Sequence, residues 1–286
     1  MGERKNAIVT GAASGLGQAL AVELARKGFC IAIADVNTAG GAETLRLVRQ
    51  AGGDGFVEEL DVRHLEEWEA LRDRLKAKWD HLDVLANNAG VAGSGLVGEY
   101  PIENWRWIID VNLWNGINGC HTFVDWLKSN PRGAHIFNTC SLAAIVSAPT
   151  MGAYNVTKAG MLALSETLYS ELMPYNVGVT AICPAVFRTN LLDNARWSRE
   201  EERTLFLHGF ETAKMTAQDV AQAAMRAMEG KQLYCLMPFE SRFNWYLKRL
   251  APTWLLGKVA RLFEKGLKAA AAHPEWRSSE KEVVAK

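Results

Sequence analysis

Short apolar runs alternate along the chain with longer stretches in which apolar positions recur every three or four residues. The runs at 7–10, 29–34, 55–60, 82–86, 134–139, 177–183 and 233–237 are aliphatic or β-branched, and glycine or small polar residues bound most of them. That composition and length predict strands. Between them, residues 16–27, 39–50, 65–78, 103–128 and 154–173 carry the helical period. The strand runs lack the polar alternation of a half-exposed sheet, so they read as buried on both faces. Strands alternating with helices predict a parallel sheet with helices on both faces. Right-handed crossovers make it doubly wound, an α/β sheet of about seven strands. Residues 1–240 read as one domain and 241–286 as a separate helical extension.

Composition narrows the class. The chain has 286 residues, 49% hydrophobic and 22% charged, which is ordinary for a globular protein with a substantial core. Lys+Arg and Asp+Glu both number 32. A neutral chain lacks the surplus positive charge on which nucleic-acid affinity rests, so no nucleic-acid partner is expected. No apolar run reaches the ~18 residues of a membrane span. Residues 1–6 lead straight into a strand without the apolar core of a signal peptide, and Asn6 interrupts a myristoylation pattern. The cysteines, Cys30, Cys120, Cys140, Cys183 and Cys235, are odd in number and form no C-x-x-C pair. They read as small buried hydrophobes in a reducing compartment, and a cytoplasmic location is expected. The six histidines are scattered, and no metal site is expected.

The first candidate chemistry is the run Thr10-Gly11-Ala12-Ala13-Ser14-Gly15-Leu16-Gly17. It joins the first strand to the first helix. Glycines let the backbone approach a pyrophosphate, and the helix N-terminus supplies unpaired N–H groups and a positive dipole end. A glycine-rich turn alone is equally an ordinary strand–helix connection. Its place in the first βα unit favours the phosphate reading. Asp35 closes the second strand, where a carboxylate can accept from the ribose hydroxyls of an adenosine and repel a 2′-phosphate. Ser14, Val36 and Asn37 offer no compensating cation. NAD is therefore expected rather than NADP; the alternative for Asp35 is a solvated strand end.

Tyr154 and Lys158 stand four apart, on one face of a helix. A phenol titrates near ~10, and a neighbouring ammonium lowers that value toward use as a general base. Such a pair alone is usually a surface pair. Ser141 changes the odds. It follows the strand at 134–139, and ligands in these sheets bind outside the carboxyl ends of the strands. Asn112 lies amid apolar neighbours in the long helix, as a buried asparagine or a site residue.

Taken together, the sequence resembles the short-chain dehydrogenase/reductase family over residues 5–240. The resemblance rests on Thr10-Gly11-x-x-x-Gly15-x-Gly17, Asp61-Val62, Asn87-Asn88-Ala89-Gly90, Asn112, Ser141 and Tyr154-x-x-x-Lys158. It implies a Rossmann-type sheet and these roles. Tyr154 is the general acid/base. Lys158 lowers its pKa and holds the nicotinamide ribose. Ser141 orients the substrate oxygen. Asn112 holds, through its backbone, a water linking Lys158 to solvent. Asp61, with Val62 beside it, accepts from the adenine amino group. Asn88 and Gly90 line the cofactor path, and Asn87 ties strands together. Phe187 and Thr189 hold the carboxamide. The family's Pro-Gly after the sixth strand is Pro184-Ala185 here, so that loop is expected to be shaped differently. Cys140 stands where a second serine is frequent, and reads as packing.

The region 190–214 carries Leu191, Leu192, Trp197, Leu205, Phe206, Leu207 and Phe210. These fit the underside of a helical lid over a hydrophobic substrate, or simple packing on the sheet. Ala148, Pro149 and Met151 are also expected at the pocket. Pro252 divides the tail into two helical pieces. Between Arg242 and Lys268 it has seven Lys/Arg and one acid, Glu264. It reads as a lid, a subunit contact in a homodimer or homotetramer, or a peripheral membrane contact. Residues 277–286 read as a frayed end. Two function classes remain. One is an NAD-dependent oxidoreductase for a hydrophobic secondary alcohol or ketone, with a 3-hydroxyacyl or 3-oxoacyl thioester as the alternative substrate. The other is a catalytically quiet NAD-sensing module. The intact Asn112, Ser141, Tyr154, Lys158 set favours the enzyme.

Overall fold

The computed structural model of the chain describes residues 4–273 and Trp276. The expectations for residues 1–3 and 277–286 lie outside them. The chain runs β1 (Asn6–Thr10), α1 (Gly15–Arg26), β2 (Cys30–Asp35), α2 (Thr38–Gln50), β3 (Asp54–Glu59), α3 (Leu65–Lys76) and β4 (Val84–Asn87). It continues through β5 (Gly93–Ser94), α4 (Ile102–Ile109), a π-turn (Asp110–Trp114), α5 (Asn115–Lys128), β6 (Ala134–Thr139), α6 (Gly152–Leu172) and β7 (Val177–Pro184). It ends with β8 (Arg196–Trp197), α7 (Glu200–Glu211), α8 (Ala217–Glu229), β9 (Tyr234–Met237), α9 (Ser241–Leu250) and α10 (Pro252–Ala272).

Seven strands form one parallel sheet in the order β3-β2-β1-β4-β6-β7-β9. The chain builds outward from β1 to β3, returns to lay β4 beside β1, and then builds the other way. The reversal opens a crevice at the carboxyl ends of β1 and β4, where ligands bind in doubly wound sheets. Strand alternation feeds two cores. Val9, Ile31 and Ile33 point toward Leu20 and Leu24 of α1 and Val220 and Ala224 of α8. Ile8, Leu85 and Ile136 point toward Trp68, Leu71 and Leu75 of α3 and Phe123 of α5. Trp68 is fully buried and donates its indole N–H to the Val62 carbonyl at 3.0 Å. That bond meets the polar requirement of a large core aromatic.

Three features were not expected from sequence. The long helix at 103–128 is interrupted by the π-turn. α8, closed at its start by a Thr216/Asp219 capping box, had no counterpart in the reading. β5 and β8 pair as a small separate parallel sheet, anchoring the segment before α7 to the segment after β4.

Candidate active site

The glycine loop leaves β1 with Gly11 in the left-handed region at φ +60°; a side chain there would lie 2.7 Å from the Ala89 backbone. Gly17, in the first turn of α1, presses on the Gly11 carbonyl and leaves no room for a Cβ. β4 is pinned to the loop from the other side. The Thr10 hydroxyl accepts from the backbone N–H groups of Asn88 (2.9 Å) and Ala89 (3.1 Å), and the Asn88 amide donates to the Thr10 carbonyl (2.9 Å). Asn87 crosses to Asn138 of β6 at 2.9 Å, tying neighbouring strands as the resemblance implied.

At the end of β2, Asp35 accepts from the backbone N–H groups of Ala13 and Asn37, each at 2.9 Å. These bonds aim the carboxylate at the crevice and leave it further acceptor capacity. Asp61 also borders the crevice, but its carboxylate is gripped by Arg63 through Nε and the backbone N–H. The Arg63 guanidinium holds the Asp61 carboxyl below the usual carboxylate range. Asp61 therefore meets a ligand as half of an ion pair rather than as a free acceptor.

At the far end of the crevice, Ser141 follows β6 and caps a short 3₁₀ turn, accepting from the Ala143 N–H at 3.1 Å. Its hydroxyl also lies near enough to the Tyr154 phenol to draw that group's pKa down. Lys158 lies one turn along α6 and donates to the Thr139 carbonyl at 2.8 Å, with its ammonium 5.6 Å from the centre of the Tyr154 ring. Both side chains are almost fully buried. Burial pushes Tyr154 up to about 12, against the opposing pull of the nearby Ser141 hydroxyl. Burial likewise pulls Lys158 down to about 8. The expected lowering of the phenol by Lys158 is not what governs Tyr154, because desolvation of the phenolate outweighs the other influences on it. Asn112, in the π-turn, accepts from the Val91 N–H (2.7 Å) and donates to the Val91 carbonyl (2.9 Å) and the Thr157 hydroxyl (3.3 Å).

A family model described as short chain dehydrogenase matches residues 5–200. The chain belongs to the short-chain dehydrogenase family. Its enzymes are oxidoreductases, and the fold agrees. A short-chain dehydrogenase/reductase from Burkholderia phymatum, solved in complex with NAD, superposes with a TM-score of 0.80 at 29% identity. That match covers 87% of this chain and 94% of the other. A putative oxidoreductase, SadH, of Mycobacterium tuberculosis is 32% identical over 240 residues, 80% of this chain and 87% of SadH. The probable oxidoreductase EphD of the same organism is 36% identical over 184 residues, 64% of this chain. The match takes in 31% of EphD, so the chain spans about a third of that relative's length.

Within this dehydrogenase fold one cleft of about 910 Å³ gathers the expected residues. Gly11, Ser14, Gly15, Leu16, Asp35, Asp61, Val62, Asn88, Gly90, Ser141, Tyr154, Lys158, Phe187 and Thr189 all line it. Gly17 and Asn112 do not, and they act on the cleft through Gly11 and Val91. The sequence reading missed Arg63, Thr139, Trp107 and Arg196. Arg63 directly follows Val62 and Thr139 stands two before Ser141, which was a usable signal. Trp107 and Arg196 carry none, since they come from distant segments and meet only in space, the guanidinium stacked 3.9 Å from the ring centre. Leu191, Leu192, Trp197, Phe206 and Phe210 line the Tyr154 end with Ala148 and Met151; Pro149, Leu205 and Leu207, also expected there, do not line it, and Leu205 lies against Gly266 of α10 instead.

Proposed function

We propose that the chain is an NAD(H)-dependent oxidoreductase that interconverts a hydrophobic secondary alcohol and its ketone, with Tyr154 as general acid/base. The observation that carries the reading is the cleft itself. A glycine-lined, phosphate-competent loop and an apolar chamber meet where Ser141 and Tyr154 line the same wall. The residues fit a dinucleotide: Gly11 brings bare backbone to the rim where a side chain would strike Ala89. Ser14 and the α1 N-terminus would face the pyrophosphate, Asp35 the adenosine ribose, Asp61 and Val62 the adenine. Gly90, Lys158, Phe187 and Thr189 would hold the nicotinamide half. Nicotinamide supplies or accepts the hydride.

The remaining steps belong to the chain. Ser141 and the Tyr154 hydroxyl converge on one substrate oxygen. In reduction Tyr154 gives its proton to that oxygen, and in oxidation it takes one. The Lys158 ammonium stabilises the phenolate left after proton donation, and the Thr139 carbonyl fixes its direction. Asn112 keeps Val91 in place at the cleft wall. NAD is favoured over NADP because the cations lining the cleft are Arg63, Lys158 and Arg196, and none serves the Asp35 corner. Arg63 is held by Asp61, Lys158 points at Thr139, and Arg196 lies on Trp107.

A panel of secondary alcohols, steroids and 3-hydroxyacyl thioesters scored by NADH appearance tests the reading. With the best substrate, Tyr154→Phe should cut kcat by about 10²–10⁴-fold and leave NADH affinity within about two-fold. A variant that keeps most of the activity removes Tyr154 from the mechanism. The acyl thioester remains as a second reading because of Arg196. Its guanidinium lies at the solvent-exposed edge of the largely apolar chamber and meets Asn104 and the Trp107 ring, with no acidic partner among the described residues. Such a group suits a phosphate or carboxylate at the far end of a long substrate.

A further inference from the structure

The two tail helices are amphipathic, and each has one side committed to the domain. Trp245 of α9 packs edge-on against Tyr234 of β9, ring centres 5.5 Å apart. On α10, Leu255 and Ala270 are buried and Phe263 meets Phe206 of α7 at 6.1 Å. The other side is open. Phe243, Tyr246 and Leu250 follow one another along one face of α9, exposed by 67%, 58% and 83%. Phe239 precedes them at 69%, and Trp254 and Leu262 continue the surface along α10. An exposed apolar surface of this extent with a charged rim marks an interaction site.

Charge selects the partner. Between Arg242 and Lys268 the tail has seven Lys/Arg and one acid in a chain whose net charge is zero. Among the described residues, only Lys268 of the seven makes an ion pair, with Glu264. Three of the others lie over aromatic rings of the tail: Arg242 on Phe239 (4.8 Å), Arg249 on Trp245 (3.4 Å) and Lys258 on Trp254 (5.1 Å). Arg249 covers the domain-facing Trp245, whereas at the exposed rings of Phe239 and Trp254 cation and ring sit side by side on the open surface. This is the chemistry of an interfacial helix, with the ring at the headgroup boundary and the cation beside lipid phosphate. A second copy of the chain is a poor occupant, since a two-fold contact would set this basic face against itself. No helix among the described residues is long and apolar enough to cross a membrane, so the contact is peripheral.

We propose that the outer face of α9 and α10 docks the protein on an anionic phospholipid bilayer. The test is co-sedimentation of the full chain with vesicles of phosphatidylcholine alone or with about 30% phosphatidylserine, in low salt and in about 0.5 M salt. The full chain should pellet with the anionic vesicles, at least about ten-fold more weakly with neutral ones, and weakly in high salt. Phe243→Ser with Trp254→Ser, and Lys258→Glu with Arg261→Glu, should each lower anionic-vesicle binding at least about ten-fold. These side chains are exposed, and unchanged circular dichroism and NADH affinity will confirm the fold. Failure to bind anionic vesicles in low salt overturns the proposal, as does equal binding by both double variants. A full-length dimer that ignores vesicles and becomes monomeric on Phe243→Ser with Trp254→Ser would give the face to a second copy instead.

Discussion

Tyr154 and Lys158 share one helical face, and burial pushes both toward their neutral forms. The consequence differs between them at neutral pH. Tyr154, raised to about 12, keeps its proton and is ready to donate it. Lys158, lowered to about 8, is still an ammonium there but loses its charge a little above. Under the proposed mechanism, reduction needs the phenol proton and the ammonium beside it. Its kcat/KM should be flat below pH 8 and fall above it, by up to about ten-fold per unit. Lys158→Met should be slow throughout and lack that break; a wild-type profile flat to pH 10 would separate Lys158 from the reaction. Asp35 makes a second prediction at this scale. Its carboxylate would lie against a 2′-phosphate with no free cation among the described residues that line the cleft, an uncompensated like-charge contact. Wild-type kcat/KM should favour NADH over NADPH, and Asp35→Ser should narrow the ratio by at least about ten-fold. Equal use of both cofactors by the wild type would disprove the reading of Asp35.

Elements carry these side chains to the cleft, and the π-turn at Asp110–Trp114 shows how. One side chain there, Asn112, satisfies both the N–H and the carbonyl of Val91, a residue of the cleft wall. Asn112→Ala leaves two partly buried backbone groups unpaired. It should cost about 1–3 kcal/mol, read as a lower urea midpoint at constant m-value, and should weaken NADH binding. Unchanged stability would mean that Val91 finds other partners. Asn112 was legible as a motif residue, but the turn that presents it was not, because the apolar period of 103–128 continues through it. The seven sheet strands were legible because strands buried on both faces concentrate apolar residues into short runs. α8 was passed over although its small apolar face packs tightly on α1, since alanines give a weaker pattern than leucines. The pairing of Trp107 with Arg196 had no sequence signal, because it depends on β5 and β8 drawing distant segments together. The rise of Tyr154 was hidden for a related reason. An i, i+4 spacing places the ammonium near the ring, whereas desolvation comes from the rest of the fold.

At the scale of the whole molecule, the tail and the cleft meet through one helix. α7 turns Phe206 and Phe210 toward the cleft and is backed by α10, where Phe263 touches Phe206 and Leu205 lies against Gly266. The glycine loop and Asp35, proposed to hold the adenosine and pyrophosphate, are carried instead by β1, α1 and β2. α10 therefore backs, through α7, the apolar end of the cleft that the proposed function gives to the substrate. Phe263→Ala removes a ring from the α7–α10 seam, worth roughly 1.5–3 kcal/mol if the ring were fully buried and less for a half-buried one. The loss falls on the lid rather than on the sheet. Substrate KM should rise several-fold, with NADH affinity within about two-fold and kcat changed less than KM. Removing residues 252–286 should exaggerate the same split. NADH affinity falling in parallel with substrate affinity would show that the tail stabilises the whole domain. Unchanged KM in the shortened chain would leave α10 only its outward face to explain it, and vesicle binding lost on the same deletion would then assign the helix to the membrane alone.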